Sequence, residues 1–277
     1  MPEYPIPPVV GVTRFRSDLV VTRQDGSARN GGGTRKEIGE FSKGSRARLA
    51  FVASNTSVTF RTMITLTYPA EYPHDGRTVK RDLRVFLAAL RRYTGGCDYL
   101  WFLEFQRRGA PHVHILADCV LPTKREHKKN FYKWVAFQWY KICGELDPKH
   151  LYAGTRTEAL RSARGGAHYA VKYARKMEQK TVPADYRNVG RFWGHTKAVK
   201  PIALAHYRCT EDDIRGLLDG WEFKPSQDRP VYRVLYNCSD RLIDHLSGQL
   251  DKRPSQEYTC SQSKLLRAPP KKKDEEE

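Results

Sequence analysis

Apolar and polar positions along this chain alternate with two different periods, and each change of period marks an element. Thr62-Met63-Ile64-Thr65-Leu66-Thr67-Tyr68 puts Ile64, Leu66 and Tyr68 on one face and threonines on the other, a strand that Pro69 ends. From Lys80 to Tyr93 the period lengthens. Leu83, Phe86, Leu87, Leu90 and Tyr93 recur at helical spacing with arginines opposite, and Gly95-Gly96 stops the helix. Phe102 to Asp118 returns to the shorter period: two apolar runs flank Arg107-Arg108-Gly109-Ala110-Pro111, which predicts two antiparallel strands joined by a short loop. Pro122-Thr123 then opens a long amphipathic helix to about Cys143, with Phe131, Trp134, Val135 and Ile142 on one side. Leu151 to Glu158 reads as a further strand. His168 to Lys176, uninterrupted by proline or glycine, reads as a helix.

Outside this middle region the pattern is weaker. Residues 1–40 are Pro-rich and then Gly-rich around Asp25 to Gly33, which predicts a flexible arm with one short strand near Leu19 to Thr22. Ser42 to Ala53 reads as a helix. Asn188 to Gly194 is a glycine-bracketed aromatic turn expected to pack at the edge of the site. Thr210-Glu211-Asp212-Asp213 caps a helix ending near Gly220, Val231 to Tyr236 reads as a strand, and Ser239 to Leu250 as a helix. From about 252 the chain turns polar and should be disordered.

Charge changes the picture next. Lys and Arg number 49 against 31 Asp and Glu, a net +18, and the excess runs through the body of the chain. A distributed basic surface fits a polyanionic partner. No apolar run approaches the roughly 18 to 20 residues a membrane span requires, and the first residues carry no secretory-signal pattern. Six scattered cysteines without a Cys-x-x-Cys pair argue for a reducing compartment and against a zinc cluster or disulfide scaffold. No phosphate-binding Gly-x-x-x-x-Gly-Lys-Ser/Thr loop is present, so the chain is not expected to be its own helicase.

Two stretches carry candidate chemistry. Side chains alternate across a strand, so His112 and His114 point the same way. If residue 104 pairs with 112 or with 114, Glu104 comes to that face too. Two imidazoles and a carboxylate make a three-ligand divalent site with open positions, able to take a phosphate oxygen; a His-x-His in a strand also arises from packing alone. The second stretch repeats Tyr-x-x-Lys in tandem: Tyr169 and Tyr173 stack one turn apart, as do Lys172 and Lys176. A phenol is a poor nucleophile at its free pKa of about 10, but a neighbouring ammonium favours the phenolate. The bland alternative is an amphipathic helix whose tyrosines cover the sheet.

Three elements in this order resemble one family. Ile64-Thr65-Leu66-Thr67-Tyr68-Pro69 is similar to the first motif, Pro111-His112-Val113-His114-Ile115-Leu116 to the second, and Tyr169 to Lys176 to the third motif of the HUH endonucleases that initiate rolling-circle replication, in the two-tyrosine form found in bacteriophages and plasmids. The resemblance covers roughly residues 60 to 200. It implies an α+β fold, a central antiparallel β-sheet flanked by helices, with flexible N- and C-terminal tails. The expected organisation is an arm over 1–40, the endonuclease domain over 41–205, an extension over 206–251 packed on or beside the core, and a disordered tail over 252–277. It further implies Mg2+ or Mn2+ held by His112, His114 and Glu104, with catalytic Tyr169, Tyr173, Lys172 and Lys176. The implied partners are single-stranded or locally melted origin DNA with a host helicase and polymerase, in a bacterial cytoplasm and away from membranes. Rivals are a two-tyrosine transposase or relaxase-like enzyme and a non-catalytic nucleic-acid-binding repressor.

Overall fold

The hairpin predicted from residues 102–118 lies at the centre of a five-stranded sheet in the computed structural model, which describes residues 9–23, 40–144, 146–160, 169, 170, 172, 182–210, 216 and 232–235. In chain order the elements are β1 (Val9–Arg14), β2 (Leu19–Arg23), α1 (Lys43–Asn55), β3 (Thr62–Thr67), α2 (Gly76–Thr94), β4 (Tyr99–Phe105), β5 (Pro111–Ala117), α3 (Arg125–Cys143), α4 (Pro148–Ala153), β6 (Thr155–Ala159), β7 (Trp193–His195), β8 (Ala205–Thr210) and β9 (Tyr232–Leu235). The order in the larger sheet is β6-β3-β5-β4-β7, with every neighbour antiparallel. The fold is α+β, antiparallel sheets flanked by helices.

Local chemistry explains the central elements. Gly109 holds φ at 85°, a left-handed turn conformation that other residues adopt at a cost, and the turn closes through Gln106 and Ala110. Asp75 caps α2 by accepting from the Thr78 amide, and Gly95 ends it in the left-handed conformation, as the sequence predicts. The apolar stripe of α2 is buried at Leu83, Phe86, Leu87 and Leu90, whereas Tyr93 is half-exposed and stacks on Trp134 of α3 at 4.1 Å between ring centres. Ile64, Leu66 and Tyr68 are buried as expected, and Tyr68 meets Trp139 of α3 edge-on. The helices α2 and α3 therefore cover the Ile64–Leu66 face of the sheet. On the opposite face α1 packs near the β7 edge, where Trp193 donates to Ser45 Oγ at 3.0 Å.

Two expectations change. The N-terminal region contains two strands rather than one: β1 pairs with β2 and with β8 in a second, four-stranded sheet ordered β8-β1-β2-β9. Leu151 to Glu158 is the end of a short helix followed by a strand, because Asp147 caps α4 and Pro148 occupies its first position before β6 begins at Thr155. Lys80, on α2, is drawn in against the sheet. Its ammonium sits 3.8 Å from the centre of the Trp101 ring and donates to the Arg191 carbonyl at 2.6 Å. Val231 to Tyr236 contains β9, and the Asn188–Gly194 turn leads into the edge strand β7, with Phe192 buried. Apart from Gly216, which is helical, the expected helix after Thr210 lies outside the described residues, as do the helix over Ser239 to Leu250, the C-terminal tail and the Gly-rich segment. No helix among the described residues is long and apolar enough to cross a membrane.

Candidate active site

The register of the central hairpin pairs Glu104 with His112 and Phe102 with His114, so of the two alignments open at the sequence level the first is the one formed. All four side chains point to one face of the sheet, the face opposite α2 and α3. His114 is 3% exposed and stacks on Phe102, while His112 is half-buried, its ring edge-on to His114 with 4.6 Å between centres. Diagonally across the pair, His114 Nε2 stands 3.6 Å from Glu104 Oε2. That separation is too long for a hydrogen bond. It is close to the roughly 3 to 3.5 Å expected between two ligand atoms that each lie about 2.1 Å from one cation.

Each imidazole has a threonine partner on β3. Thr65 pairs with His114 and Thr67 with His112 in the strand register, and their hydroxyls meet the ring Nδ1 atoms at 3.1 and 3.0 Å. With Nδ1 engaged by a hydroxyl, Nε2 is the atom each ring presents to a ligand. Thr67 is itself anchored. Its carbonyl accepts from Trp139 Nε1 at 2.8 Å and from His150 Nε2 at 2.9 Å, and its amide donates to the Gly154 carbonyl. The hairpin tip is tied down as well: the Arg108 guanidinium donates to the carbonyls of Tyr68, Pro69 and Ala70 and over-reaches the Tyr72 ring. Sequence reading counted Arg108 only as a turn residue and did not distinguish the threonines. Their signal was the parity of 65 and 67 against 112 and 114, which becomes readable only once β3 is known to pair with β5.

As placed, the three side chains do not close on a single point: no set of three His, Cys, Asp or Glu side chains among the described residues is arranged to hold an ion. The donor set nonetheless fits a divalent cation. Glu104 Oε2 is buried and accepts no hydrogen bond, a costly condition for a carboxylate oxygen unless a cation, proton or water satisfies it. Two imidazoles and one carboxylate suit Mn2+ and also admit Mg2+.

The tyrosine stretch is described at three positions. Tyr169, Ala170 and Lys172 are helical. Ala170 is fully buried, and Tyr169 is half-buried against the hydrophobic core. The Lys172 ammonium lies 6.0 Å from the Tyr169 ring centre, at the outer limit of a cation–π contact. Tyr173 and Lys176 lie outside the described residues. The structure thus assembles Glu104, His112 and His114 as one group and Tyr169 with Lys172 as another. It also adds a residue that sequence reading missed. Arg156 on β6 pairs with Thr65 and so shares the histidine face, with its side chain 75% exposed. Its position escaped notice because the β6 alternation was blurred by the preceding short helix.

No curated protein and no solved structure matches the chain. A family model for replication-associated protein ORF2/G2P matches residues 61–178, somewhat under half of the 277-residue chain and spanning β3, the central hairpin and Tyr169; this similarity supports a replication initiator.

Proposed function

We propose that this chain starts rolling-circle replication by nicking one strand of origin DNA, a tyrosine attacking the scissile phosphodiester beside a divalent cation. The observation that carries the reading is the buried Glu104 oxygen without a hydrogen-bond donor, facing His114 Nε2 with His112 alongside. Glu104, His112 and His114 would hold Mg2+ or Mn2+, which would supply positive charge to stabilise the phosphate. Thr65 and Thr67 keep each Nε2 turned outward.

The remaining steps belong to the chain's own residues. Tyr169 or Tyr173 loses its phenolic proton and attacks phosphorus. The bond from phosphorus to the 3′ oxygen breaks, that oxygen takes a proton, and the 5′ phosphate stays on the tyrosine. The free 3′-hydroxyl is then a primer for a host polymerase, with a host helicase opening the duplex ahead of it. The second of the two tyrosines, four residues from the first in sequence, cuts the regenerated junction, and the released hydroxyl attacks the first link to rejoin the strand. Lys172 and Lys176 offset the developing negative charge, and Arg156 binds the strand along the exposed side of the face.

Incubation of the full chain with labelled single-stranded origin DNA and Mn2+ should give a covalent adduct on a tyrosine-bearing peptide. Tyr169→Phe and Tyr173→Phe combined should abolish it. An undiminished adduct in that double variant overturns the nucleophile assignment, and binding without any metal-dependent adduct favours the repressor.

A further inference from the structure

The end of the β4–β5 hairpin away from its turn brings two cysteines together. Tyr99 pairs with Ala117, and the ladder continues one step outward through the Asp118 amide donating to the Asp98 carbonyl at 3.0 Å and the Asp98 amide donating to Asp118 Oδ1 at 2.9 Å. Extended one residue beyond these contacts, the register would set Cys97 opposite Cys119. Residues 98 and 118 make one backbone bond of a hydrogen-bonded pair, with the Asp98 amide turned to the Asp118 side chain, so the extended register would make 97 and 119 a non-hydrogen-bonded pair. In such pairs the Cα atoms lie only about 4.5 Å apart, within the roughly 4.4 to 6.8 Å a disulfide spans. Both side chains have the parity of Tyr99 and Ala117 and so point to the face under α2. Cys97 is 5% exposed there, its amide donates to Thr94 Oγ1 at the end of α2, and Cys119 packs partly buried against the same cluster. Both are free thiols.

The geometry points to Cys97 and Cys119 as a modification site, a vicinal dithiol that a hydroperoxide converts to a cross-strand disulfide. Interaction with the Cys119 sulfur, with burial working against it, brings the Cys97 thiol down to about 7. The same interaction and burial push Cys119 well above the usual thiol range. The pair is therefore asymmetric in the way the reaction requires: one thiolate to attack and one thiol to resolve.

Cys97 thiolate attacks one oxygen of hydrogen peroxide, the O–O bond breaks, hydroxide leaves, and a sulfenic acid remains on Cys97. Cys119 sulfur then attacks the Cys97 sulfur. Its proton goes to the departing hydroxide, so two thiols and one peroxide yield one disulfide and two waters. The bond would staple the open end of the hairpin whose other end pairs Glu104 with His112, locking that register covalently.

The test is direct because trypsin separates the two cysteines into peptides 93–107 and 109–124. The folded full chain is treated with hydrogen peroxide, alkylated, digested and analysed without reduction. We expect a linked species with the mass of both peptides less two hydrogens, loss of two of the six thiols, and neither change in Cys97→Ser or Cys119→Ser. Recovery of both peptides separately alkylated overturns the site, as does oxygen added to Cys97 without a link, or a link from either cysteine to one of the other four. Repeating the oxidation in denaturant should scatter the links among the six cysteines; a Cys97–Cys119 link that persists there as the dominant product would assign the pairing to sequence proximity, against the folded geometry.

Discussion

Thr65 and Thr67 look in the sequence like ordinary strand formers, chosen for their branched side chains. In the sheet each occupies the position opposite an imidazole and holds its Nδ1. Replacing either with valine keeps the shape and removes the hydroxyl, so Thr65→Val and Thr67→Val should fold normally and lose about 10- to 100-fold in Mn2+ affinity, measured by calorimetry. An unchanged affinity would mean the rings are oriented by packing alone. Glu104→Gln is the sharper change at this scale. The amide keeps the volume but supplies no negative charge, so metal-dependent nicking should fall by at least the same factor while the melting temperature holds or rises. The rise is expected where the buried, donorless carboxylate oxygen is itself a cost to folding. Arg156→Ala belongs here too. Its guanidinium is exposed on the histidine face, so its loss should weaken single-stranded DNA binding evenly across sequences and reduce the salt slope by about 1; salt-dependent anisotropy measures both.

At the scale of elements, α2 carries a charge where an apolar residue would be expected. Burial, with smaller contributions from Arg191 and Arg84, lowers the Lys80 amine from its ordinary 10.5 to about 7. The folded chain then binds fewer protons than the unfolded chain between about pH 7 and 10.5. Stability contributed by this group rises with pH across that window and is lost as pH falls back through it. Chemical denaturation of Lys80→Met against the parent should show a flatter dependence over this range, by up to about 1.4 kcal/mol per pH unit. The hairpin shows a second element-level feature. Arg108 joins its tip to the segment after β3 through three carbonyls, so the turn and the end of β3 move as one body, and with them His112 and Thr67. A lysine there would keep the charge but could not reach all three acceptors at once.

At the scale of the molecule, the chain closes a second sheet from its two ends. β1 lies between β8 and β2, with all its ladder contacts made to residues either 5 to 13 or 191 to 201 positions away. Asn55, at the end of α1, ties this sheet's β1–β2 turn to the rest of the molecule, accepting from the Ser17 amide and donating to Asp18 Oδ2. Deleting residues 1–14 should therefore do more than trim an arm. It would expose the edges of β2 and β8 together, and the truncated chain should lose cooperative unfolding and aggregate at concentrations the full chain tolerates; light scattering alongside thermal unfolding would register both.

The sequence was most informative where a signal is local. Alternation over 62–68 and 102–118 with a glycine turn between the last two runs, and a four-residue stripe on α2, are patterns each segment must satisfy to bury its own apolar side. From that parity alone His112 and His114 could be placed on a common face, and Glu104 joined them only if the turn set residue 104 opposite 112 or 114. What needed the folded chain were facts created by pairing distant strands: that β1 joins β8, that Thr65 and Thr67 lie opposite the histidines, that Arg156 shares their face, and that Lys80 is withdrawn beneath Trp101. A strand's own residues specify which face is apolar. They carry no mark of which strand will lie beside it, because that choice is made by the burial and backbone hydrogen bonding of the whole sheet at once.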